Sequence, residues 1–429
     1  MPLLLKNISQ LVTCRSSSLR RGKTQGEIGL LQNVNIFISD DKIDFVGNDK
    51  ELKTFLNSYF HPLYKKNSEF DIKYYNEIDC TNKVVTPGFI DSHTHLVFSG
   101  SRSDEYEMRI TGSTYEEIAA SGGGIASTVS AVRKASKEEL VLNSYKRLKK
   151  FLQSGTTSLE AKSGYGLNTE NEIKLLEAIK EVGEKNEFGA DIYPTFLGAH
   201  SIPKEFSKKD YIDLICNEMI PKVAEKKLAM FIDVFCEVNY FDKEDTEKIL
   251  KCGKKYGMLP KIHTDQFNSI GGVEAAINSD AISVDHLEVL SDEDIKKLSR
   301  MNIIATLLPG VSYFLNISYP PARTLIESNV PVVLATDFNP GSCMTENLQT
   351  IMSLASIQLK MTSEEILNAV TYNAACALNI QDRTGSIEAG KLADMLIFDV
   401  SSYKDIVYNF GVNNIQDVIK KGKILELYS

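Results

Sequence analysis

The most regular feature of the chain is an alternation, between residues 86 and 345, of short apolar runs with longer segments whose apolar residues recur at helical spacing. Several of these segments open with Ser, Thr or Asp, which favour helix N-termini. The eight runs cover residues 88–93, 156–162, 191–199, 230–237, 259–265, 281–287, 302–309 and 331–338. The alternation predicts an α/β protein with a parallel sheet, and it suits a (β/α)8 TIM barrel or a doubly wound open sheet.

The position of the polar residues favours the barrel, because reactive side chains follow the C-terminal end of nearly every run. Outside this region, short apolar runs and Gly turns predict strands at both ends of the chain. We therefore expect a barrel over residues 86–380 and a small composite β-sandwich domain formed by residues 1–85 and 381–429. A Lys/Asn-rich stretch at 55–75 is expected to form a surface loop.

Composition narrows the function classes. The 429 residues include 57 acidic and 48 basic side chains, so the net charge of −9 disfavours nucleic acid as a partner. No apolar stretch is long enough to span a membrane, and the first residues turn polar too soon for a secretory signal. Seven scattered cysteines, an odd number without a close pair, are typical of reduced thiols. We expect a cytoplasmic protein.

Five of the six histidines fall at or just beyond a predicted strand end. His93 and His95 form an HxH pair, whose period of two places both imidazoles on one face of a strand. Alone this pair is a weak signal, since two histidines also alternate on ordinary half-exposed strands. His263 and Asp337 follow the fifth and eighth runs, and a barrel gathers all these ends around one mouth.

We predict that His93, His95, His263 and Asp337 bind one divalent metal ion, zinc or iron, because neutral imidazoles with a carboxylate suit either ion. Taken singly, the alternatives are a satisfied core histidine for His263 and a helix N-cap for Asp337. Lys162 ends the second run, where a salt bridge, a substrate contact and a bridge between two ions all remain open. In binuclear metal hydrolases the bridging Lys usually lies on the fourth strand. The position of Lys162 on the second strand therefore favours a single ion.

Longer motifs carry a family resemblance. The segments PGFIDSHTH and TGSIEAGKLADMLIFD resemble the two signatures of the amidohydrolase superfamily. More specifically, HTHLVFSGSRSDEYEMR, TYEEIAASGGGI, LEAKSGYGL, TFLGAHSIP and TDFNPGS resemble the imidazolonepropionase family, over most of the chain from about residue 30. The resemblance implies a barrel with a composite β domain, often as a homodimer. It implies hydrolysis of 4-imidazolone-5-propanoate to N-formimino-L-glutamate by metal-activated water.

The same resemblance implies roles for individual residues. Asp337, His286 and His200 are the expected catalytic groups, although the division of proton transfers among them stays open. The expected substrate-binding residues are Arg102, Tyr115, Tyr165, His200, Gln266, Asn339, Gly341 and Ser342. Arg102 would bind the propanoate with its planar fork, the alternative being a surface pair with Asp104 or Glu105. Gln266 stands where some relatives have a Glu proposed to activate water, and an amide cannot take that role.

Two other functions remain open. One is a mononuclear amidohydrolase deaminase that acts on a purine, pyrimidine or related ring, since the same ligand pattern serves both reactions. Arg102 and Tyr165 argue against it, because free nucleobases have no carboxylate tail. The other is a non-catalytic scaffold with the same fold. The intact set of ligand positions disfavours it.

Overall fold

The structure, a computed structural model, describes residues 1–64, 75–113, 117 and 123–427, and for residues 61–64 the backbone only. The described part of the N-terminal segment contributes seven strands before the barrel begins. These are β1 (Leu3–Ile8), β2 (Gln10–Val12), β3 (Leu30–Leu31), β4 (Val34–Ser39), β5 (Lys42–Gly47), β6 (Asn76–Asp79) and β7 (Val84–Pro87). A 3-10 turn covers Gly22–Gly26.

Eight parallel strands then follow, and they confirm all eight runs predicted from the sequence. They are β8 (Phe89–Asp91), β9 (Thr156–Lys162), β10 (Asp191–Ala199), β11 (Phe231–Cys236), β12 (Leu259–Thr264), β13 (Ser283–His286), β14 (Ile304–Leu307) and β15 (Val332–Leu334). Each pairs with its neighbour in chain order. A parallel bridge between Thr94 and Phe338, just beyond the first and last strands, joins the two edges. The sheet is therefore a TIM barrel and not a doubly wound sheet.

Helices precede, alternate with and follow the barrel strands, and most of those between the strands cover the outer face of the barrel. They begin with α1 (Asp49–Tyr64), α2 (Ser103–Ile110), α3 (Ile125–Lys134), α4 (Lys137–Gln153), α5 (Thr169–Lys185), α6 (Lys208–Leu214), a π turn (Ile215–Met219), α7 (Ile220–Glu225) and α8 (Lys243–Lys255). They continue with α9 (Gly272–Asn278), α10 (Asp292–Leu298), α11 (Pro309–Leu315), α12 (Ala322–Glu327), α13 (Leu348–Gln358), α14 (Ser363–Ala369), α15 (Tyr372–Ala377) and α16 (Tyr403–Tyr408). Among the residues described, no helix has both the length and the apolar character needed to cross a membrane.

Local sequence explains why these helices form. Helix α4 starts with a capping box, in which Ser136 and Glu139 each accept a hydrogen bond from the other's backbone N–H. Its buried positions include Leu140, Ser144, Leu148 and Phe151, which recur every three or four residues and face the barrel strands.

The C-terminal segment adds β16 (Met395–Phe398), β17 (Ile415–Lys420) and β18 (Lys423–Ile424). The strands outside the barrel form a four-stranded sheet, β5-β4-β1-β6, and a six-stranded sheet, β18-β17-β16-β7-β2-β3. Leu5 and Ile36 of the first sheet share one hydrophobic core with Val85, Ile397 and Ile419 of the second. The two termini therefore build the predicted composite β-sandwich together.

The prediction of a surface loop at 55–75 is wrong for residues 55–64, which form part of a helix. Residues up to Tyr64 belong to α1, and Leu52 and Phe60 are buried in a small core with Phe37 of β4. The helix forms because Leu52, Leu56 and Phe60 recur at four-residue spacing, a pattern that the Lys/Asn-rich composition obscured. Residues 65–74 lie outside the described residues.

A buried ion pair joins the sandwich to the barrel. Lys420, fully buried at the end of β17, places Nζ 2.7 Å from Asp191 at the start of β10 and 2.8 Å from Asp394. Lys421 binds the same Asp191 at 2.8 Å, but a third of its side chain is exposed.

We predict that Lys420→Met lowers the free energy of unfolding by about 3–5 kcal/mol, because the buried Asp394 loses its cation and Asp191 keeps only the partly exposed Lys421. Lys421→Met is the matched control and should cost about 1 kcal/mol or less. Urea denaturation of both variants measures the difference. Equal small losses would show that the buried pair does not hold the two parts together.

Candidate active site

The seam that closes the barrel brings the first predicted ligands together. The backbone N–H of Asp337 donates to His93 O at 3.0 Å, and that of His95 donates to Phe338 O at 2.9 Å. This register places Asp337 Oδ1 3.3 Å from His93 Nε2 and 3.6 Å from His95 Nε2. The HxH pair and Asp337 therefore meet although they are far apart in sequence.

His263, near the end of β12, completes the predicted set. Its ring centroid lies 4.4 Å from that of His93, and all four side chains are at most 3% exposed. His93, His95 and Asp337 offer ligand atoms within 4.8 Å of one another, and so do His93, His263 and His286. The structure thus adds His286, which the sequence analysis treated only as a catalytic group, to the same cluster.

The donor atoms fit a divalent metal ion. His93 Nε2, His263 Nε2 and Asp337 Oδ1 are buried and have no hydrogen-bond partner in the part of the chain that the structure describes. Burial lowers the pKa of His93 and of His95 well below the usual value, so both imidazoles are neutral. Neutral imidazoles with one carboxylate are a donor set for zinc or iron.

Two buried carboxylates hold the imidazoles from behind. Asp285 Oδ2 lies 2.7 Å from His93 Nδ1, and Asp233 Oδ2 lies 2.9 Å from His263 Nδ1. At His93 this contact is a hydrogen bond, which keeps the proton on Nδ1 and leaves Nε2 free to bind a metal. At His263 it is a close contact without a hydrogen bond among the described residues. The sequence analysis missed both Asp285 and Asp233. The signal was present, since each is a charged residue inside an apolar strand.

Lys162 lies among these carboxylates, away from the cavity. Its Nζ is 2.7 Å from Asp233 Oδ2 and 2.9 Å from Glu160 Oε2. Lys261 also binds Glu160, at 3.0 Å, and donates to Ser92 O at 2.8 Å. Of the roles left open for Lys162, the structure supports the salt bridge.

His286 is held by a backbone turn that the sequence did not predict. His286 and Leu287 have φ of 90° and 72°, a region that side chains of this kind rarely adopt. The turn brings the buried Glu288 back, so that Oε1 lies 3.5 Å from His286 Nδ1. Burial opposes protonation of His286, but the carboxylates of Glu288, Asp337 and Asp285 together outweigh it and raise the pKa of His286 above its usual value.

A cavity of about 350 Å³ opens above the histidines. It brings together nearly all of the predicted site residues, and Tyr115 lies outside the described residues. The predicted residues that line it are His95, Arg102, Tyr165, His200, His263, Gln266, His286, Asp337, Asn339, Gly341 and Ser342.

Arg102 is held at the cavity wall by Glu105. Its Nε donates to Glu105 Oε2 at 2.8 Å, and Ser127 Oγ donates to the other oxygen of Glu105 at 2.9 Å. The Nη1 side faces Gly341, where an added Cβ would come within 2.1 Å of Nη1. The ion pair weighed as an alternative for Arg102 therefore exists, but its effect is to aim the guanidinium into the cavity.

The loop that carries Tyr165 is fixed by Glu172 on α5. The buried Glu172 carboxylate accepts backbone hydrogen bonds from Gly164, Gly166 and Leu167, at 3.1, 2.7 and 2.9 Å. Arg133 donates to the carbonyl oxygens of Gly166 and Leu167. Tyr165 is thereby packed beside His95, with the ring centroids 5.4 Å apart.

His200 stacks on His95, with ring centroids 5.2 Å apart and planes 19° from parallel. Its Nδ1 lies 3.0 Å from the carbonyl oxygen of Gly164. Desolvation and the neighbouring His263 lower the pKa of His200 to about 3. A neutral His200 therefore donates Nδ1–H to this carbonyl and keeps Nε2 as an acceptor.

The turn after β15 organises the remaining predicted residues. Asn339 Oδ1 accepts hydrogen bonds from the backbone N–H groups of Gly341 and Ser342, at 2.7 and 2.9 Å. Ser342 Oγ donates to Asp337 Oδ2 at 3.2 Å, leaving Oδ1 facing the histidines.

Arg109 is a further cavity residue that the sequence analysis missed. Its guanidinium carbon lies 5.1 Å from the ring centroid of Phe314 and 5.6 Å from that of Tyr106. Phe314 comes from α11, more than 200 residues away, so no local pattern indicates this contact.

Comparison with known proteins gives a consistent result. The model of the amidohydrolase family matches residues 84–425. The imidazolonepropionase of a Geobacillus species is 43% identical over 428 residues, which cover 99% of this chain and 98% of that protein. The imidazolonepropionase of Thermoanaerobacter pseudethanolicus is 44% identical, over 97% of this chain and 96% of that protein.

Solved structures share the fold at low sequence identity. An adenosine deaminase from Xanthomonas campestris with bound zinc has a TM-score of 0.71 at 15% identity, covering 98% of this chain and 92% of that chain. A triazine hydrolase from Arthrobacter aurescens has a TM-score of 0.72 at 15% identity, covering 99% and 94%.

We predict that Glu172→Ala speeds hydrogen exchange at Gly164, Gly166 and Leu167 and lowers the free energy of unfolding by about 1–3 kcal/mol, because three buried N–H groups lose their acceptor. Glu170→Ala, an exposed residue on the same helix, is the control and should change stability by less than about 0.5 kcal/mol. Unchanged exchange in Glu172→Ala would mean that other contacts fix the loop.

Proposed function

This chain belongs to the imidazolonepropionases, within the amidohydrolase family, and we propose that it hydrolyses 4-imidazolone-5-propanoate to N-formimino-L-glutamate. One observation carries the proposal. The same cavity holds a cluster of histidines with a carboxylate at its base and the aimed guanidinium of Arg102 at its wall. A substrate with a hydrolysable ring and a carboxylate tail matches this cavity, with the ring at the histidines and the tail at Arg102.

The family implies a metal ion, and we propose that His93, His95, His263 and Asp337 hold one divalent ion, zinc or iron. The unpartnered donor atoms of His93, His263 and Asp337 support this assignment, and His95 Nε2 lies 3.6 Å from Asp337 Oδ1. When bound, such an ion supplies Lewis acidity, which makes water a nucleophile near neutral pH and polarises a carbonyl. The Nζ of Lys162 is engaged by two carboxylates, which supports one ion and not a lysine-bridged pair.

The reaction adds water to the ring carbonyl and breaks the bond from that carbon to the ring nitrogen. The carbonyl becomes a carboxylate, and the nitrogen leaves with a proton. Asp337 accepts a proton from the attacking water, because Gln266 offers only an amide. His286, beside Glu288, is the histidine best placed to carry a proton to the leaving nitrogen. His200 presents an acceptor and orients a polar group of the ring.

The propanoate tail binds at Arg102. Glu105 occupies Nε, so the Nη groups remain for a carboxylate. Gly341 leaves the space that the guanidinium fills, and Tyr165 packs over the neighbouring histidines. Asn339 and Ser342 complete the polar wall. Tyr115 keeps its proposed role as a substrate contact from the family resemblance alone.

The alternatives lose support at specific points. A deaminase for nucleobases gives no role to Arg102, and the similarity to a deaminase structure, at 15% identity, concerns the fold alone. A scaffold without activity gives no reason for the buried donor atoms to converge without hydrogen-bond partners.

We retain three further proposals. The chain divides at residues 85 and 380 into the composite β domain and the barrel. It works in the cytoplasm, which agrees with seven free cysteines. It forms a homodimer, for which the exposed Tyr408, Phe410 and Val412 offer an apolar surface.

The proposed function is tested by giving the metal-loaded protein freshly generated 4-imidazolone-5-propanoate in ¹⁸O-water and following the product by mass spectrometry. We expect N-formimino-L-glutamate with one ¹⁸O, and no turnover after treatment with a chelator. Asp337→Asn should be inactive, because it loses both a ligand and a proton acceptor. A metal-loaded wild-type protein without turnover would contradict the proposed substrate.

Arg102→Ala is expected to raise KM by roughly 10- to 100-fold with a smaller effect on kcat, because it removes a charged pair made with the bound tail. Gly341→Ala should act in the same direction, since its Cβ displaces the guanidinium. Gly26→Ala, where a Cβ meets nothing within 4 Å, is the control and should leave both constants unchanged. An unchanged KM in Arg102→Ala would remove Arg102 from the carboxylate site.

A further inference from the structure

Lys162 connects the two carboxylates that hold the imidazoles. Its Nζ lies 2.7 Å from Asp233 Oδ2, the same oxygen that lies 2.9 Å from His263 Nδ1. It also lies 3.9 Å from Asp285 Oδ2, the oxygen that lies 2.7 Å from His93 Nδ1. One ammonium group is therefore linked, through one carboxylate on each side, to two predicted metal ligands.

The ammonium group of Lys162 links side chains from four barrel strands. Lys162 ends β9, Asp233 lies in β11, Asp285 lies in β13, and His263 lies in β12 between them. All these side chains are essentially inaccessible to water. Buried carboxylates repel one another and are costly without a cation and hydrogen bonds. The position of each carboxylate therefore depends on the cation it faces.

Asp233 illustrates how tightly a ligand is held. Its Oδ1 accepts the backbone N–H of His263 at 3.2 Å, while Oδ2 faces the imidazole of the same residue. Carboxylates behind metal-binding histidines fix the ring orientation and the nitrogen that carries the proton. A shift of Asp233 would thus be passed directly to His263.

We propose that Lys162 is a positioning residue, which holds Asp233 and Asp285 so that His263 and His93 present Nε2 to the ion before the ion binds. The inference rests on the proposed metal-dependent function and assigns the part that Lys162 has in it. Lys162 is not among the described residues that line the cavity, so its effect passes through the two carboxylates.

Lys261 provides a matched comparison in the same cluster. It is as deeply buried as Lys162, and its Nζ binds Glu160 Oε1 at 3.0 Å and Ser92 O at 2.8 Å. It lies 3.8 Å from Asp285 Oδ2, about as far as Lys162 does, but no ion pair joins it to Asp233 among the described residues. Of these two lysines, Lys162 is the one that contacts both Asp233 and Asp285.

The test compares Lys162→Met with Lys261→Met by measuring zinc affinity in competition with a chromogenic chelator. Both variants lose a buried charge, so both stripped proteins should be less stable than the wild type. Zinc affinity should fall roughly 10- to 100-fold in Lys162→Met, as for other residues behind metal ligands, and far less in Lys261→Met. Equal losses of affinity, or wild-type affinity in Lys162→Met, would overturn the proposal.

If the variants do not fold, the proposal is tested on the metal-free wild-type protein by determining which ring nitrogen of His93 and His263 carries the proton. The chain has six histidines, so ¹⁵N-histidine labelling of the stripped protein gives a simple spectrum. His93 and His263 should both carry the proton on Nδ1 and none on Nε2. A proton on Nε2 of either residue would contradict prior positioning. Neither measurement involves the substrate, so a failure of turnover and a failure of this inference are distinguishable.

Discussion

The site depends on a cluster of buried charges inside the barrel. Lys162 and Lys261 face Glu160, Asp233 and Asp285, all within barrel strands and all inaccessible to water. Such a cluster is costly unless every charge is paired, so its geometry is narrowly determined. Two of its carboxylates hold imidazoles at the base of the cavity. The same ion pairs that compensate the buried charges therefore also orient the imidazoles of His93 and His263.

The closure of the barrel supplies the other half of the site. Asp91 at the end of β8 accepts hydrogen bonds from Thr336 N and Oγ1, at 3.1 and 2.6 Å, and so ties the first strand to the segment after the last. That seam sets Asp337 against His93 and His95. The seam and the charge cluster are both buried and lie apart from the loops around the mouth, which in barrel enzymes are the parts that vary with the substrate.

Much of this organisation was predictable, because it is local in sequence. The run 191–199 coincides with β10, and the four proposed ligands lie near or just beyond strand ends, which a barrel gathers around one mouth. The rest depends on register between strands. Lys162 and Asp233 are 71 residues apart, and no spacing rule pairs them. Glu288 contacts His286 because His286 and Leu287 both have positive φ. Neither residue type favours that conformation, so the contact could not be predicted from the sequence. The four-residue spacing of Leu52, Leu56 and Phe60 in α1 is obscured by the polar composition of the segment.

The most direct measurement is a crystal structure of the metal-free protein beside that of the metal-loaded form. The account predicts one ion bound by His93, His95, His263 and Asp337, and, after its removal, imidazoles of His93 and His263 that still bind Asp285 and Asp233 in the same orientation. Imidazoles that rotate away from these carboxylates without the ion, or an ion bound to Lys162, would contradict it.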